Sequence, residues 1–288
     1  MHSTTVTATW QRRVLPFAAL LVTIVSVQFG AAFAKELFPV LGVERATFLR
    51  SALGALLLAP VFKPWRTRIS AREWPLLLAY SVVLGGMNLC FYLALQRIPL
   101  GVAVALEFIG PLGLAVGLSH RRLDLMWVGL AVIGLLLLLL PLNFHAQALD
   151  PRGVLFALLA AAFWAAYSLL ARRIGTQQGT GIIGLAMVIA ALMLLPLATW
   201  QPGSVTMTPY LWFAALVMAL FSSALPYPLE MIALTGMPIR LYGTLTSLEP
   251  ALGTLMGLLL LRELPSATQL AGIAAIVAAS LGAAAFSA

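Results

Sequence analysis

The sequence predicts an all-α membrane protein in which ten transmembrane helices form two inverted repeats of five helices each. Three observations support this prediction: the composition, the spacing of apolar runs and an internal repeat. The chain of 288 residues is 62% hydrophobic and only 9% charged, with a mean hydropathy of +1.02. Soluble chains carry about a quarter charged residues, so this chain has too few polar groups to cover a water-exposed surface. It is therefore expected to lie in a bilayer.

Ten apolar runs are long enough to cross a bilayer as helices. A hydrocarbon core about 30 Å thick requires roughly 20 apolar residues in helical form. The runs that meet this requirement cover residues 14–34, 43–62, 74–95, 100–118, 125–142, 153–171, 180–200, 210–234, 241–261 and 267–286. The segments between them are short, so any chemistry is expected within the membrane part.

The distribution of basic residues predicts the orientation of the chain. If the runs alternate across the membrane, eleven of the 17 Lys and Arg residues fall on one side and five on the other, with Arg50 inside a run. Loops rich in Lys and Arg stay on the cytoplasmic side, so both termini are expected in the cytoplasm. The net charge of +8 thus reflects membrane orientation, and no nucleic-acid partner is expected.

The fourth and ninth runs carry related segments, ALQRIPLGVAVALEFIGPLG and ALTGMPIRLYGTLTSLEPAL. At a constant offset of 139 residues, Pro99 aligns with Pro238 and Pro111 with Pro250. Because each unit has five runs, the second copy enters the membrane from the opposite side, which is an inverted repeat typical of secondary transporters. The predicted repeats cover residues 14–142 and 153–286. The alternative is a chance alignment of helices rich in Leu and Ala.

Several segments resemble one known family. They are AAFAKELFPVLG, LGGMNLCFYLALQRIPLGVAVALEFIGPL, SSALPYPLEMIALTGMP and GTLTSLEPAL. The chain resembles the EamA group of the drug/metabolite transporter superfamily, and within it the bacterial exporters of threonine and homoserine. The resemblance implies a ten-helix bundle with a central cavity, placed in the bacterial inner membrane, that exports small amino acids in exchange for protons. We further expect contact with membrane lipid, a monomer or weak homodimer, and no cofactor.

Three carboxylates lie inside apolar runs: Glu107, Glu230 and Glu249. A charge at mid-bilayer costs at least about 2.5 kcal/mol, and such residues normally face a cavity or a partner. All three are candidates to bind the ammonium group of a substrate. Glu107 is also the candidate carrier of the exchanged proton, with Glu249 as the alternative. The competing interpretation of each is a structural carboxylate tied to a neighbouring helix.

Prolines accompany two of these carboxylates. Proline cannot donate to the carbonyl four residues earlier, so Pro111 frees the carbonyl of Glu107, and Pro250 frees that of Thr246, the repeat equivalent of Glu107. A free carbonyl beside a carboxylate suits an ammonium group if both line a cavity. The alternative is an ordinary proline kink.

Two basic residues are candidates to bind a substrate carboxylate. Arg50 is the basic residue that lies well inside a run, and Lys35 follows the end of the first run. Arginine binds a carboxylate with two parallel hydrogen bonds, whereas lysine offers a compact charge. The alternatives are that Arg50 pairs with Glu44 or reaches the outer surface, and that Lys35 is an interfacial anchor.

Four uncharged side chains complete the predicted site. Asn88 and Gln28 lie in the middle of runs, and each amide offers donors and an acceptor. Tyr227 and Trp164 are candidates to line a pocket, although core packing is the simpler role for an aromatic residue.

Three other functions are alternatives to amino-acid export: export of another small metabolite or drug by the same fold, an intramembrane enzyme, and a non-transporting sensor. The chain lacks the G-x-x-x-x-G-K-[ST], H-E-x-x-H and G-x-S-x-G motifs that would indicate nucleotide hydrolysis, a zinc protease or a serine hydrolase. Cys90 is the single cysteine. We therefore expect no catalytic residue and no metal site, and we expect that the protein is not an enzyme.

Overall fold

The computed structural model describes residues 3–66, 69–117, 124–139, 149–178, 181–200, 203, 205–237, 242 and 245–286. All regular structure in these ranges is helical, which confirms the predicted all-α class. The helices of the N-terminal half are α1 (Ser3–Leu41), α2 (Val43–Phe62), α3 (Trp74–Leu95), α4 (Leu100–Glu107), α5 (Ile109–Gly117) and α6 (Asp124–Leu139). Those of the C-terminal half are α7 (Pro151–Gln178), α8 (Gly181–Trp200), α9 (Pro209–Ala219), α10 (Pro226–Gly236), α11 (Glu249–Leu261) and α12 (Ala267–Phe286), with a π-helical segment (Leu220–Ala224) between α9 and α10.

Among the described residues, six helical stretches are long and apolar enough to cross a membrane. They are Val14–Leu41, Val43–Phe62, Trp74–Leu95, Pro151–Ala171, Ile182–Trp200 and Pro209–Ala233. Shorter apolar helices are Leu100–Gly113, Met126–Leu138, Glu249–Leu261 and Ala267–Gly282. Pro238 and residues 118, 140–142, 180, 241, 243 and 244 of the predicted runs lie outside the described residues. Large apolar side chains such as Leu56, Leu192 and Leu259 are exposed on the outside, as a lipid-facing surface requires.

The first helix extends seven residues beyond the predicted end of its run at residue 34, as far as Leu41. The prediction stopped the run before a charge. In the structure, Lys35 Nζ donates to Glu263 Oε1 at 2.6 Å and to the carbonyl of Ile98 at 2.8 Å. Because these two partners satisfy the ammonium group, the helix continues through the charge.

The fourth predicted run is a broken helix. α4 ends at Glu107, Phe108 forms a turn, and α5 begins at Ile109. Pro111 has no N–H to donate, and the next amide, of Leu112, reaches Phe108 O only at 3.3 Å. The break therefore falls where the sequence predicted a loosened carbonyl.

The ninth predicted run has a corresponding turn. Residues 245 and 246 are helical, Ser247 and Leu248 form a turn, and α11 begins at Glu249 with Pro250 as its second residue. At an offset of 139 residues, Ser247 corresponds to Phe108. Both breaks thus occur at matching positions of the aligned segments.

The helices pack in pairs drawn from the two halves of the chain. α3 packs along α7 and α1 along α10, while α2 packs on α8, α4 on α11 and α6 on α12. Small residues permit close approaches: a Cβ on Gly30 would lie 2.7 Å from Ser222 N, and one on Gly54 would lie 2.9 Å from Ser223 Cβ. These two glycines bring α1 and α2 directly against the π-helical segment.

Candidate functional site

Arg50 is buried in the middle of α2, with 7% of its surface exposed. Its Nη2 donates to the carbonyl of Ser222 at 3.0 Å, and its Nε donates to Ser223 Oγ at 3.3 Å. Its Cζ lies 5.1 Å from the centre of the Tyr92 ring. Arg50 thus binds the π-helical segment and does not pair with Glu44. Among the described residues these are its only hydrogen bonds, so three of its five N–H groups are left for a ligand.

The carbonyl that Arg50 binds is left free by a proline. Pro226 has no N–H, so Ser222 O, four residues earlier, lacks the donor that a regular helix would give it. The guanidinium takes the place of that donor. A buried carbonyl without a partner is costly, so the sequence of this segment fixes where the arginine head group lies.

The π-helical turn frees a second carbonyl. Leu225 N donates to Leu220 O at 2.8 Å and so bypasses Phe221 O, which instead accepts from Ser26 Oγ at 2.6 Å. Side chains of α1 and α2 therefore complete the hydrogen bonding of the π-helical segment. Single π turns of this kind occur frequently at functional sites.

Helix α3 contributes a polar face beside Arg50. Tyr92 is fully buried, its ring lies 5.3 Å from that of Phe38, and its hydroxyl has no hydrogen-bond partner among the described residues. Asn88, one turn earlier, interacts with the hydroxyl of Tyr227, which is also within electrostatic range of Arg50. The structure thus brings the predicted residues Asn88, Tyr227 and Arg50 together.

The three predicted carboxylates lie near one another. Glu107, at the break after α4, is buried and has Arg50 as the cation within its electrostatic range. Glu249, the first residue of α11, is within range of both Glu107 and Glu230. Glu230 accepts a hydrogen bond from Tyr242 at 2.7 Å. In the described part of the chain Glu107 forms no salt bridge or hydrogen bond, so its carboxylate remains available.

Gln28 is buried in α1, with 2% of its surface exposed. Its Oε1 has no hydrogen-bond partner among the described residues. A Cβ on Gly253 would lie 3.1 Å from this oxygen and 3.1 Å from Val104 Cγ2. Val104 and Gly253 are each one helical turn from a carboxylate, Glu107 and Glu249 respectively. The predicted residue Gln28 therefore lies next to the carboxylate group, between α1, α4 and α11.

Lys35 is placed differently from the other predicted residues. It forms a salt bridge with Glu263, whose second oxygen accepts from Leu100 N at 2.7 Å. The pair thereby links α1, the start of α4 and the end of α11. The structure does not bring Lys35 to the Arg50 cluster.

Trp164 packs edge-to-face against Phe108, with ring centres 5.5 Å apart. Phe108 is the turn residue directly after Glu107, so Trp164 supports the backbone at the helix break.

Sequence reasoning missed Ser222, Ser223 and the hydrogen bond from Tyr242 to Glu230. The first two are in the segment SSALPYP, where two prolines within a long apolar run indicate free carbonyls. That signal was available in the sequence. The partnership of Tyr242 with Glu230 crosses from one run to the next and has no local signal.

The arrangement gives a guanidinium with spare donors and a set of carboxylates inside an apolar bundle. It can therefore hold both charged ends of a small zwitterionic molecule. Among the residues that the structure describes, no three His, Cys, Asp or Glu side chains are placed to hold a metal ion. A polar site of this kind within a multi-pass helical bundle defines a membrane transporter.

Known proteins identify the family. The EamA-like transporter family matches residues 151–284. The threonine/homoserine exporter RhtA of Escherichia coli (strain K12) is 46% identical over 268 residues, which cover 93% of this chain and 90% of that exporter. The RhtA protein of Salmonella typhimurium (strain LT2) is 45% identical over the same shares of both chains. The chain belongs to the EamA-like transporter family.

More distant proteins agree with this assignment. The pseudopaline exporter CntI of Pseudomonas aeruginosa is 26% identical over 280 residues, covering 93% of this chain and 95% of that exporter. One crystal structure shares the fold with a TM-score of 0.62 at 23% identity, over 96% of each chain.

Proposed function

We propose that this protein is a secondary active exporter of small amino acids of the threonine and homoserine type, placed in the bacterial inner membrane and driven by proton antiport. Its relatives at 45–46% identity are named exporters of threonine and homoserine. In this proposal a substrate enters from the cytoplasm, both termini face the cytoplasm, and a monomer or weak homodimer suffices.

The juxtaposition of Arg50 and Glu107 carries the proposal. An amino acid has a carboxylate and an ammonium group on one carbon atom. Arg50 keeps three N–H groups free for the carboxylate, and Glu107, within electrostatic range, accepts the ammonium group together with Glu249. Tyr92, Asn88 and Tyr227 contribute the neutral walls of the site.

The pairing of helices supports an architecture of ten membrane helices in two inverted repeats, 14–142 and 153–286. In such repeats α7 corresponds to α1, and the eighth span, which contains α10, corresponds to α3. The contact of α3 with α7 then corresponds to the contact of α10 with α1. The pairs α2 with α8, α4 with α11 and α6 with α12 each map onto themselves. This is the pattern that a two-fold axis in the membrane plane would produce.

The burial of Glu107 supports proton exchange. A buried carboxylate without a fixed partner is more stable when it is neutral, so it binds either a proton or the substrate's ammonium group. From the cytoplasm the ionised form binds substrate. After the two repeats rearrange, the substrate leaves, and a proton from the outside neutralises the empty site for its return.

Export of a different small metabolite is the second candidate. It is favoured by the similarity to the pseudopaline exporter, whose name gives a different compound. The described site has one cation, which favours a small amino acid over a different metabolite as the substrate.

Uptake of radiolabelled threonine into inverted membrane vesicles tests the proposal. Their lumen corresponds to the cell exterior, so an acidic lumen should accelerate uptake and a protonophore should remove the acceleration. Glu107→Gln should insert normally but lose the acceleration, because the amide cannot exchange a proton. Glu36→Gln, at an exposed position of α1, is the matched control and should behave as wild type.

The outcomes separate the two carboxylates. If Glu107→Gln keeps its rate and its dependence on the gradient while Glu249→Gln loses both, the proton carrier is Glu249. If both variants keep them, neither residue couples protons. Uptake of an unrelated metabolite without any uptake of threonine would refute export of amino acids.

A further inference from the structure

Two buried polar atoms have no partner among the described residues: the hydroxyl of Tyr92 and Oε1 of Gln28. Leaving a buried polar atom without a hydrogen bond is unfavourable, and each such atom calls for an explanation. Tyr92 lies against Arg50, where the proposed site binds the substrate carboxylate, and this position explains its free hydroxyl. Gln28 lies elsewhere, and neither charged end of an amino acid requires it.

The surroundings of Gln28 indicate what its oxygen meets. The oxygen faces Gly253 and Val104, and a Cβ on Gly253 would lie only 3.1 Å from it. Because Gly253 has no side chain, no methyl group lies against this buried oxygen. The walls on either side are apolar, so the amide is the polar group of this corner of the site.

The distance between Gln28 and the carboxylates suits a small substrate. Val104 and Gly253 are one helical turn from Glu107 and Glu249, which corresponds to about 5 Å along each helix. By ordinary bond lengths the hydroxyl lies about 3–4 Å from the ammonium nitrogen in threonine and about 3–5 Å from it in homoserine. A substrate whose ammonium group meets the carboxylates thus directs its side-chain hydroxyl toward Gln28.

We infer that Gln28 Oε1 accepts a hydrogen bond from the side-chain hydroxyl of the substrate and selects small amino acids that carry one. The inference rests on the proposed function and adds the residue that determines specificity. A site built to bond a hydroxyl discriminates strongly against an analogue without it, because the buried partner is then left unpaired. Gln28 is therefore expected to discriminate against a substrate that is smaller by one oxygen atom.

One compound tests the inference for both substrates. 2-Aminobutyrate is the deoxy analogue of threonine and of homoserine, and it retains their carboxylate and ammonium groups. The experiment measures inhibition of radiolabelled threonine uptake in inverted vesicles by unlabelled threonine, homoserine and 2-aminobutyrate. In the wild type, both hydroxyl compounds should inhibit at concentrations about 10-fold or more below that of the deoxy analogue.

Gln28→Leu removes the acceptor at similar size. It should bring the three inhibitory concentrations to within about 2-fold of one another while uptake of radiolabelled 2-aminobutyrate persists. Gly253→Ala places a methyl group against the same oxygen and should reduce the preference without altering the amide. Thr23→Val is the matched control on α1, because the hydroxyl of Thr23 already donates to Ala19 O at 2.9 Å, and it should keep the preference.

Each other outcome contradicts the inference. If wild-type protein transports threonine but does not distinguish it from 2-aminobutyrate, Gln28 does not select the hydroxyl, while the proposed function stands. If Gln28→Leu weakens all three compounds equally, the residue is structural. Absence of threonine uptake in the wild type would refute the proposed function and this inference together. If Gln28→Leu does not insert into the membrane, the inference is tested by the wild-type preference for hydroxyl compounds and by its reduction in Gly253→Ala.

Discussion

Two cations within the helical bundle, the buried Arg50 and the partly buried Lys35, differ in what surrounds them. Lys35 contacts a carboxylate at 2.6 Å and a carbonyl at 2.8 Å, and the carboxylate of Glu263 is itself held by Leu100 N. Arg50 contacts a carbonyl and a hydroxyl, which are neutral. The charge of Lys35 is cancelled by a carboxylate in direct contact, whereas that of Arg50 is oriented by neutral dipoles and has the Glu107 carboxylate within electrostatic range but not in a salt bridge with it.

The difference distinguishes a structural charge from one available to a ligand. A cation in direct contact with its carboxylate has little left to offer a third group. A cation held by dipoles keeps its full attraction for an anion in a medium of low dielectric constant. The number and charge of a residue's partners are therefore more informative here than its burial.

Replacing Arg50 should have the largest effect. Arg50→Lys keeps the charge but loses the planar arrangement of donors that binds Ser222, Ser223 and a carboxylate together. We expect threonine uptake in inverted vesicles to fall by about 100-fold, corresponding to about 2.7 kcal/mol of lost binding and transition-state stabilisation.

The same substitution at Arg45, on the same helix, is the control. Arg45, near the start of α2, donates to Gly203 O, so Arg45→Lys should retain uptake. Wild-type transport by a well-inserted Arg50→Lys or Arg50→Gln variant would remove Arg50 from the site.

Gly30→Ala should have an intermediate effect, because it acts on the support of Arg50. The added methyl group would lie 2.7 Å from Ser222 N, and relieving such a contact in a packed interior costs about 1–3 kcal/mol. Thermal unfolding in detergent should report this loss, accompanied by slower uptake.

Gly129→Ala is the matched substitution, since a Cβ on Gly129 in α6 meets no atom within 4 Å. It should be neutral or stabilising by about 0.5–1 kcal/mol. Equal stability of the two alanine variants would mean that the π-helical segment moves freely and does not fix Arg50.

Separating Lys35 from Glu263 should have the smallest effect on transport. A double-mutant cycle of Lys35→Met and Glu263→Gln should give a coupling free energy of about 1–2 kcal/mol in unfolding measurements. The two side chains are only 21% and 18% exposed, and they belong to one hydrogen-bond network with Ile98 O and Leu100 N. The pair Arg97–Asp150, at 3.7 Å and more exposed, is the comparison and should couple by less than about 1 kcal/mol.

The preference among substrates should not change in these variants. A Lys35→Met protein of normal stability that loses threonine uptake would instead support the sequence prediction that Lys35 binds substrate.

The sequence predicted the helical class and the buried charges because both depend on local hydropathy. Glu107 and Arg50 stand out in their own runs, and Pro111 predicted a freed carbonyl at Glu107, the residue at which α4 ends. The pairing of Lys35 with Glu263 joins residues that are 228 positions apart, and no local pattern encodes it. For the same reason the first run was ended before Lys35, although its distant partner allows the helix to continue to Leu41.

The π-helical segment also sets the rotational phase of α10. An α-helix turns by about 100° per residue, and a π turn accommodates one residue more than an α turn. With one residue fewer between α9 and α10, the eighth run would keep its hydropathy and still cross the membrane. Tyr227 and Glu230 would, however, rotate away from Asn88 and Tyr242. The polar face of α10 thus depends on the length of the chain before it as much as on the residues that form it.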